Sequence, residues 1–130
     1  MKSLEEAKKY FFNDRFAVST TGIQIEAVDD NYAKCSLKIE ERHLNAADRL
    51  MGGAIFTLAD FTFAVATNSP DCRIVTTNST ITYLGTAKGS TLYSESKVIK
   101  TGKSICTLEI SVTDNLDNKI ALVVTSGMRV

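Results

Sequence analysis

Residues 53–68 form a helix-length, largely apolar stretch with one carboxylate, Asp60, at its middle. A helix that is apolar on every side is expected to be buried, and an unpaired carboxylate is among the most costly groups to bury. We therefore predict a buried central helix in which Asp60 has a chemical role, as a general base on water or as a nucleophile. A structural acid, satisfied by Thr57 or by the backbone, is the alternative.

Two glycines, Gly52 and Gly53, lie where this helix should begin. The first N–H groups of a helix lack intrahelical partners and lie at the positive end of its dipole. Such donors can form an oxyanion hole for the tetrahedral intermediate of acyl transfer, and glycine lets a carbonyl group come close. Close packing is the alternative reason for the two glycines.

The spacing of these groups constrains how they can act together. Asp60 follows Gly53 by seven residues, which places both on one helix face but about 10 Å apart along the axis. One chain therefore cannot apply both groups to one carbonyl. If two helices run antiparallel across a two-fold axis, Asp60 of each subunit approaches the glycines of the other, so we expect a homodimer with composite sites.

The remaining sequence predicts the elements that position these groups. Ser3 and Glu6 have the spacing of a capping box, which predicts a helix from residue 3 to about 13. Alternating apolar residues predict two strands at 23–27 and 33–39, and Pro70 ends the central helix. Four further strands are predicted, at residues 74–84, 91–100, 104–113 and 119–128.

The predicted order is α-β-β-α-β-β-β-β, which indicates an α+β fold. A sheet of about six antiparallel strands that covers one helix must curve strongly around it. Its edge strands then favour pairing with a second copy. The length of 130 residues fits one domain over the whole chain, 1–130.

The composition narrows the classes of partner and compartment. Fifteen basic residues balance fifteen acidic ones, so no net charge favours nucleic acid or an anionic membrane. The first residues lack the apolar run of a signal peptide, and the central stretch is too short to span a bilayer. We expect a cytoplasmic protein. With one histidine, His43, the chain has too few ligands for a conventional zinc site, and we expect no metal or cofactor.

The run at residues 43–60, HLNAADRLMGGAIFTLAD, resembles the signature of hotdog-fold acyl-CoA thioesterases of the PaaI-like and 4-hydroxybenzoyl-CoA thioesterase superfamily. The similarity continues through residues 81–84, 87–89 and 101–103, and it covers about residues 20 to 130. The resemblance implies a hotdog fold, in which a curved sheet wraps a central helix. It also implies acyl-CoA as substrate and a homodimer that pairs further into a homotetramer.

The resemblance also implies roles for individual residues. Asp60 matches the family's catalytic acid, and Gly53, with Gly52, matches its oxyanion-binding turn. Asn45 matches an asparagine that would hold the nucleophile or the thioester oxygen. A hydroxyl that orients the attacking water aligns near Thr76, with Thr77 as the register alternative. A turn-capping role is the alternative for Asn45.

Other positions bear on substrate binding or depart from the family pattern. Met51 stands where the family has a histidine, and Asp48 stands where it has a glycine. His43 is expected to be a solvated loop residue, with partial replacement of the missing histidine as the alternative. Basic residues near turns bind the phosphates of coenzyme A in similar proteins, which suggests Lys88, Lys103 and Arg73 for this role, with solvated surface charge as the alternative.

Two functions from different classes follow. In the first, the protein is an acyl-CoA thioesterase that hydrolyses a thioester to free acid and coenzyme A. In the second, it is a hotdog domain that binds acyl-CoA or a related ligand with little or no turnover, because Met51 replaces the histidine. A hotdog dehydratase is a weaker third option. The sequence does not specify the acyl group.

Overall fold

The computed structural model describes residues 3–130. It contains two α-helices and one antiparallel sheet of six strands in the order β1-β2-β4-β5-β6-β3. The elements are α1 (Leu4–Tyr10), β1 (Gln24–Asp29), β2 (Tyr32–Lys38), α2 (Gly52–Thr67), β3 (Ile74–Tyr83), β4 (Thr91–Thr101), β5 (Ile105–Asp114) and β6 (Lys119–Arg129). The predicted α+β hotdog architecture, a central helix wrapped by a curved sheet, is confirmed.

The N-terminal region follows the prediction only in part. The capping box of Ser3 and Glu6 is present at the start of α1. The helix ends at Tyr10, however, and the chain continues through a 3₁₀ turn and a π-helical segment, Phe16–Thr21, that the sequence did not predict. Gly22, with a φ of +88°, ends this segment in the left-handed conformation that glycine tolerates.

The core lies between α2 and the concave face of the sheet. Leu58, Phe63 and Val65 of α2 are fully buried, and the sheet faces them with buried side chains that include Leu37, Leu92, Leu108, Ile110 and Val123. The ring of Phe11 packs edge-to-face on that of Phe61, with centroids 5.7 Å apart. This contact holds the N-terminal region against the helix.

Two hydrogen bonds fix β3 alongside α2. The side-chain oxygen of Asn68, which follows α2, accepts from the backbone N–H of Ile74 at 2.9 Å. At the other end, the hydroxyl of Tyr83 donates to the carbonyl of Gly52 at 2.9 Å. β3 therefore runs back along the helix, from its C-terminal end to its N-terminal end.

The prediction that α2 is buried on every side is wrong for this chain. Gly53 and Asp60 are exposed, and Phe56, Thr57 and Ala64 are only partly buried. These five residues recur at intervals of three and four, so they share one face of the helix. We call this face the open stripe. The sequence predicts burial on this face because Phe56 and Ala64 are apolar, as core residues are.

The strand β3 forms one edge of the sheet. Seven of its residues are exposed, Val75, Thr76, Thr77, Asn78, Thr80, Thr82 and Tyr83, and it contains no proline or lysine. Charged residues and prolines are common devices that block an edge against further pairing. The edge of β3 is therefore open to another strand.

None of the helices within residues 3–130 has both the length and the hydrophobicity required to cross a membrane.

A buried carboxylate organises the loops at one end of the sheet. Asp114 accepts the backbone N–H groups of Lys88, Gly89, Leu116 and Asn118, and also the side-chain amide of Asn118, at 2.8 to 3.0 Å. Burial raises the pKa of Asp114, but these hydrogen bonds outweigh burial and hold the pKa well below its usual range. Asp114 thus joins the loop after β3 to the turn between β5 and β6.

We expect Asp114→Asn to lower the melting temperature, because an amide cannot accept at both of its terminal atoms. A carboxyl whose pKa is depressed by folding stabilises the folded state at pH values above its unfolded-state pKa. This stabilisation is lost as the pH falls toward and through the folded-state pKa. The difference in melting temperature from wild type should therefore be large at about pH 7 and smaller at about pH 3. The exposed Asp117→Asn is the matched control, and equal effects of both variants would contradict the assignment.

Candidate active site

The N-terminus of α2 has free backbone donors. Met51 caps the helix with an extended backbone, and its carbonyl accepts from the N–H groups of Ala54 and Ile55. The N–H groups of Gly52 and Gly53 make no hydrogen bond to any residue that the structure describes. Both amides lie at the positive end of the helix dipole and can bind a developing negative charge.

A cavity of about 270 Å³ lies beside this helix start. It is lined by Asn45, Arg49, Leu50, Gly52, Ile55, Tyr83, Gly85, Thr86 and Ala87. The structure thus brings two predicted site residues, Asn45 and Gly52, to one cavity. It adds Arg49 and Tyr83, which the sequence analysis did not assign, although Arg49 lies in the same sequence run as Asn45.

Asn45 caps the turn before α2, and the ligand contact that was the other role considered for it stays a prediction. Its side-chain oxygen accepts the backbone N–H groups of Ala47 and Arg49, at 2.8 and 3.2 Å, so it caps the turn. Its side-chain NH₂ group has no partner among the described residues. Only the NH₂ group is therefore available to a ligand in the cavity.

The substitution of Asp48 for the family glycine fits the local backbone. Asp48 has a φ of +58°, in the left-handed region that favours glycine. Aspartate and asparagine are the other residues that enter this region most readily. The turn before the helix therefore keeps its shape with aspartate.

Met51 and His43 differ from each other in exposure and in hydrogen bonding. The Met51 side chain is exposed and makes no capping hydrogen bond. His43 is buried, and its Nδ1 atom accepts from the N–H of Glu40 at 2.9 Å. Its Nε2 atom lies 2.7 Å from the carbonyl oxygen of Thr21, so Nε2 carries the proton and donates. The expected solvated His43 is wrong, and both ring nitrogens are already used.

Asp60 lies on the open stripe and is exposed in the single chain. Desolvation raises the pKa of its carboxyl, and the carboxylate of Asp14 raises it further. Thr57 donates its hydroxyl proton to the carbonyl of Gly53 at 2.8 Å, so it cannot also donate to Asp60. The form of the structural alternative in which Thr57 satisfies Asp60 is therefore not supported, and satisfaction by the backbone stays the other form.

The two candidate threonines lie on β3, and their hydroxyls differ. Thr76 pairs with Gly127 and Asn78 pairs with Ser126, so Thr77 is the extra residue of a β-bulge. The hydroxyl of Thr77 donates to the carbonyl of Ser126 at 3.2 Å. The exposed hydroxyl of Thr76 has no partner among the described residues, which favours Thr76 as the residue that can bind water.

One chain contains two separate halves of the predicted site. The oxyanion half is at the N-terminus of α2 and contains Gly52, Gly53 and Asn45. In the acid half, the predicted acid, Asp60, lies at the middle of the helix, and Thr76, the predicted water-binding residue, lies on β3. Because α2 is a continuous helix over Gly52–Thr67, the two halves stay about 10 Å apart along its axis.

The two candidate lysines lie at opposite ends of the sheet. Lys88 follows Ala87 of the cavity lining, and its backbone N–H is held by Asp114. Lys103 lies between β4 and β5, where its carbonyl accepts from Arg129. The strand β4 joins these two ends, and its 11 residues span a distance of about 35 Å. Only Lys88 flanks the cavity of its own chain.

The chain is similar to proteins of known class. The family model of the thioesterase superfamily matches residues 48–121. A putative esterase of Archaeoglobus fulgidus is 32% identical over 120 residues, which cover 92% of this chain and 78% of that protein. The acyl-coenzyme A thioesterase PaaI of Escherichia coli is 30% identical over 122 residues, which cover 93% of this chain and 86% of that enzyme.

The fold is also similar to a solved structure. The PaaI protein from the phenylacetic acid degradation operon of Escherichia coli superposes with a TM-score of 0.89 at 27% sequence identity. The superposition covers 97% of this chain and 91% of that one.

The two glycines should respond differently to substitution. A Cβ atom on Gly52 would lie 2.8 Å from the hydroxyl oxygen of Tyr83, whereas a Cβ on Gly53 would meet nothing within 4 Å. Gly53→Ala should keep or raise the melting temperature, because alanine is favoured over glycine in helices by about 0.5–1 kcal/mol. Gly52→Ala should lower it. Thermal unfolding by circular dichroism tests this, and equal destabilisation by both substitutions would contradict it.

Proposed function

The chain belongs to the thioesterase superfamily, and we propose that it is an acyl-coenzyme A thioesterase that hydrolyses a thioester to a free acid and coenzyme A. The arrangement along α2 is the main support. The amides of Gly52 and Gly53 at the helix start are unpartnered among the described residues, and Gly53 shares one face of the helix with Asp60, whose pKa is raised. These are the oxyanion donors and the base that hydrolysis of a thioester requires.

The oxyanion half stabilises the charge that forms during the reaction. When water attacks the thioester carbonyl, the carbonyl oxygen becomes negative and accepts hydrogen bonds from the N–H groups of Gly53 and Gly52. Asn45 holds the thioester or the nucleophile through its NH₂ group. The intermediate then collapses, the carbon–sulfur bond breaks, and coenzyme A leaves as a thiolate that takes up a proton.

The acid half activates water. Asp60 takes a proton from water that Thr76 orients, and the raised pKa brings its basicity closer to the operating pH. Direct attack by Asp60 through a transient anhydride remains the second possible role. Both roles require Asp60 to be ionised, so we expect the rate to fall as the pH drops through its pKa.

We propose a homodimer in which the open stripes of two chains pack antiparallel across a two-fold axis. Asp60 of each subunit then faces Gly53 of its partner, which closes the gap between the two halves. The uncovered face of α2 and the open edge of β3 support this arrangement. The pairing of dimers into a homotetramer and a cytoplasmic location stay predictions.

Contacts with coenzyme A follow from the charges around the cavity. Arg49 is part of the cavity lining, and Lys88 directly follows Ala87 of that lining. They are proposed to bind phosphate groups. Lys103 lies at the far end of its own sheet, so it can contribute only to a site that the partner subunit completes.

Met51 supports the alternative function, an acyl-CoA-binding hotdog domain with little turnover. A thioether cannot donate a hydrogen bond, so the position that is histidine in the family supplies none here. A thiol-release assay with short aliphatic, long aliphatic and aryl-CoA substrates distinguishes the two functions. Release above the buffer rate with one class supports the enzyme, whereas saturable binding without release with every class supports the binding domain.

We expect Asp60→Asn to reduce the rate by about 10²–10⁴-fold, the usual contribution of a positioned base. A carboxyl whose pKa is raised on folding destabilises the folded state at pH values above its usual pKa. Replacing the Asp60 carboxyl by an amide should therefore keep or raise the melting temperature near neutral pH. Both quantities should be measured on one preparation, with the exposed Asp71→Asn as the control. Retained turnover with a lowered melting temperature would exclude Asp60 as the base.

Subunit mixing tests the composite site. Asp60→Asn and Gly53→Val homodimers should both be nearly inactive, but each mixed dimer would combine an intact Gly53 with an intact Asp60 in one of its two sites. Random pairing makes half of the dimers mixed, so refolding the two variants together should restore about one quarter of wild-type activity. No recovery in mixed dimers, verified by mass, would contradict a shared site, as would a monomer in light scattering.

A further inference from the structure

We propose that Tyr83 is a positioning residue of the oxyanion hole, and that it acts through the peptide bond between Gly52 and Gly53. Its hydroxyl oxygen lies 2.9 Å from the carbonyl oxygen of Gly52. A carbonyl can only accept, so the tyrosine hydroxyl is the donor. Tyr83 is the last residue of β3, and this hydrogen bond ties the strand to the first residue of α2.

The peptide bond links the carbonyl group that Tyr83 holds to the N–H group of the oxyanion hole. The carbonyl of Gly52 and the N–H of Gly53 belong to the same planar peptide unit, in which they point in opposite directions. Fixing the carbonyl therefore fixes the direction of the N–H that binds the oxyanion. Because glycine permits more backbone conformations than any other residue, a peptide unit between two glycines at a helix start gains rigidity from such an additional anchor.

The same hydrogen bond also increases the donor strength of Gly53. A peptide group that accepts at its oxygen is polarised, and its N–H then donates more strongly, by about 10–30% per bond in a hydrogen-bonded chain. In a helix the carbonyl of Gly52 also accepts from the N–H of Phe56. Its second lone pair leaves room for Tyr83.

The position of Tyr83 separates the roles of the two glycines. A Cβ atom on Gly52 would lie 2.8 Å from the Tyr83 hydroxyl oxygen and 3.0 Å from the ring carbon that carries it. Glycine at 52 therefore lets the tyrosine reach the carbonyl, whereas the space beside Gly53 is open. Gly52 makes room for the anchor and Gly53 makes room for the substrate.

The inference rests on the proposed function, and Tyr83→Phe tests it because the substitution removes only the hydroxyl. Loss of a whole oxyanion donor costs about 10²–10³-fold in kcat. Tyr83 acts on one donor that remains in place, so we expect a smaller loss in kcat, about 3–10-fold, with KM nearly unchanged. Tyr93→Phe is the matched control, since Tyr93 lies on β4 and lines no part of the cavity.

A second measurement follows the amide group of Gly53 directly. In ¹H–¹⁵N spectra, the amide resonance of Gly53 should shift in Tyr83→Phe and stay in place in Tyr93→Phe. An unmoved Gly53 resonance, an unchanged kcat, or a rise in KM alone would overturn the inference. A wild-type protein without thiol release would instead contradict the proposed function, and a Gly53 shift in that protein would show that the anchor exists without a catalytic role.

Discussion

The separation of Gly53 and Asp60 along one helix is the constraint on which the site depends. A continuous α-helix places residues seven apart on one face and holds them about 10 Å apart along its axis. No change of rotamer brings the Asp60 carboxylate to the Gly53 amide. In the proposed site a second chain therefore supplies the missing half, and the open stripe and the unpaired edge of β3 are the surfaces that such a chain would cover.

The secondary structure could be predicted because its signals are local. Apolar alternation and turn residues placed all six strands within one or two residues, and the apolar run placed α2 within one residue. The π-helical segment, Phe16–Thr21, was missed because its residues follow neither the helical nor the strand period. The open stripe was missed because an apolar side chain looks the same whether it packs on its own sheet or on another chain.

Features of the candidate site could be predicted where they depend on the helix and not where they depend on tertiary contacts. The free amides of Gly52 and Gly53 follow from the position at which α2 begins. The buried state of His43 follows from its bond to Thr21, which no local pattern shows. Tyr83 lies 31 residues from Gly52, so its contact with the helix start emerges only when β3 is seen to return along the helix.

Because Asp60 is exposed in the single chain, part of the desolvation free energy of its carboxylate would arise when two chains assemble and not when one chain folds. In the single chain the carboxylate is exposed, so folding incurs only part of the desolvation cost that a buried carboxylate carries. In the proposed dimer the second chain covers the stripe, and further desolvation raises the pKa of Asp60 further. Burial of the partly exposed Phe56 and Ala64, together with strand pairing at the edge of β3, then opposes this cost. Assembly, and not folding, would therefore create the base in its active environment.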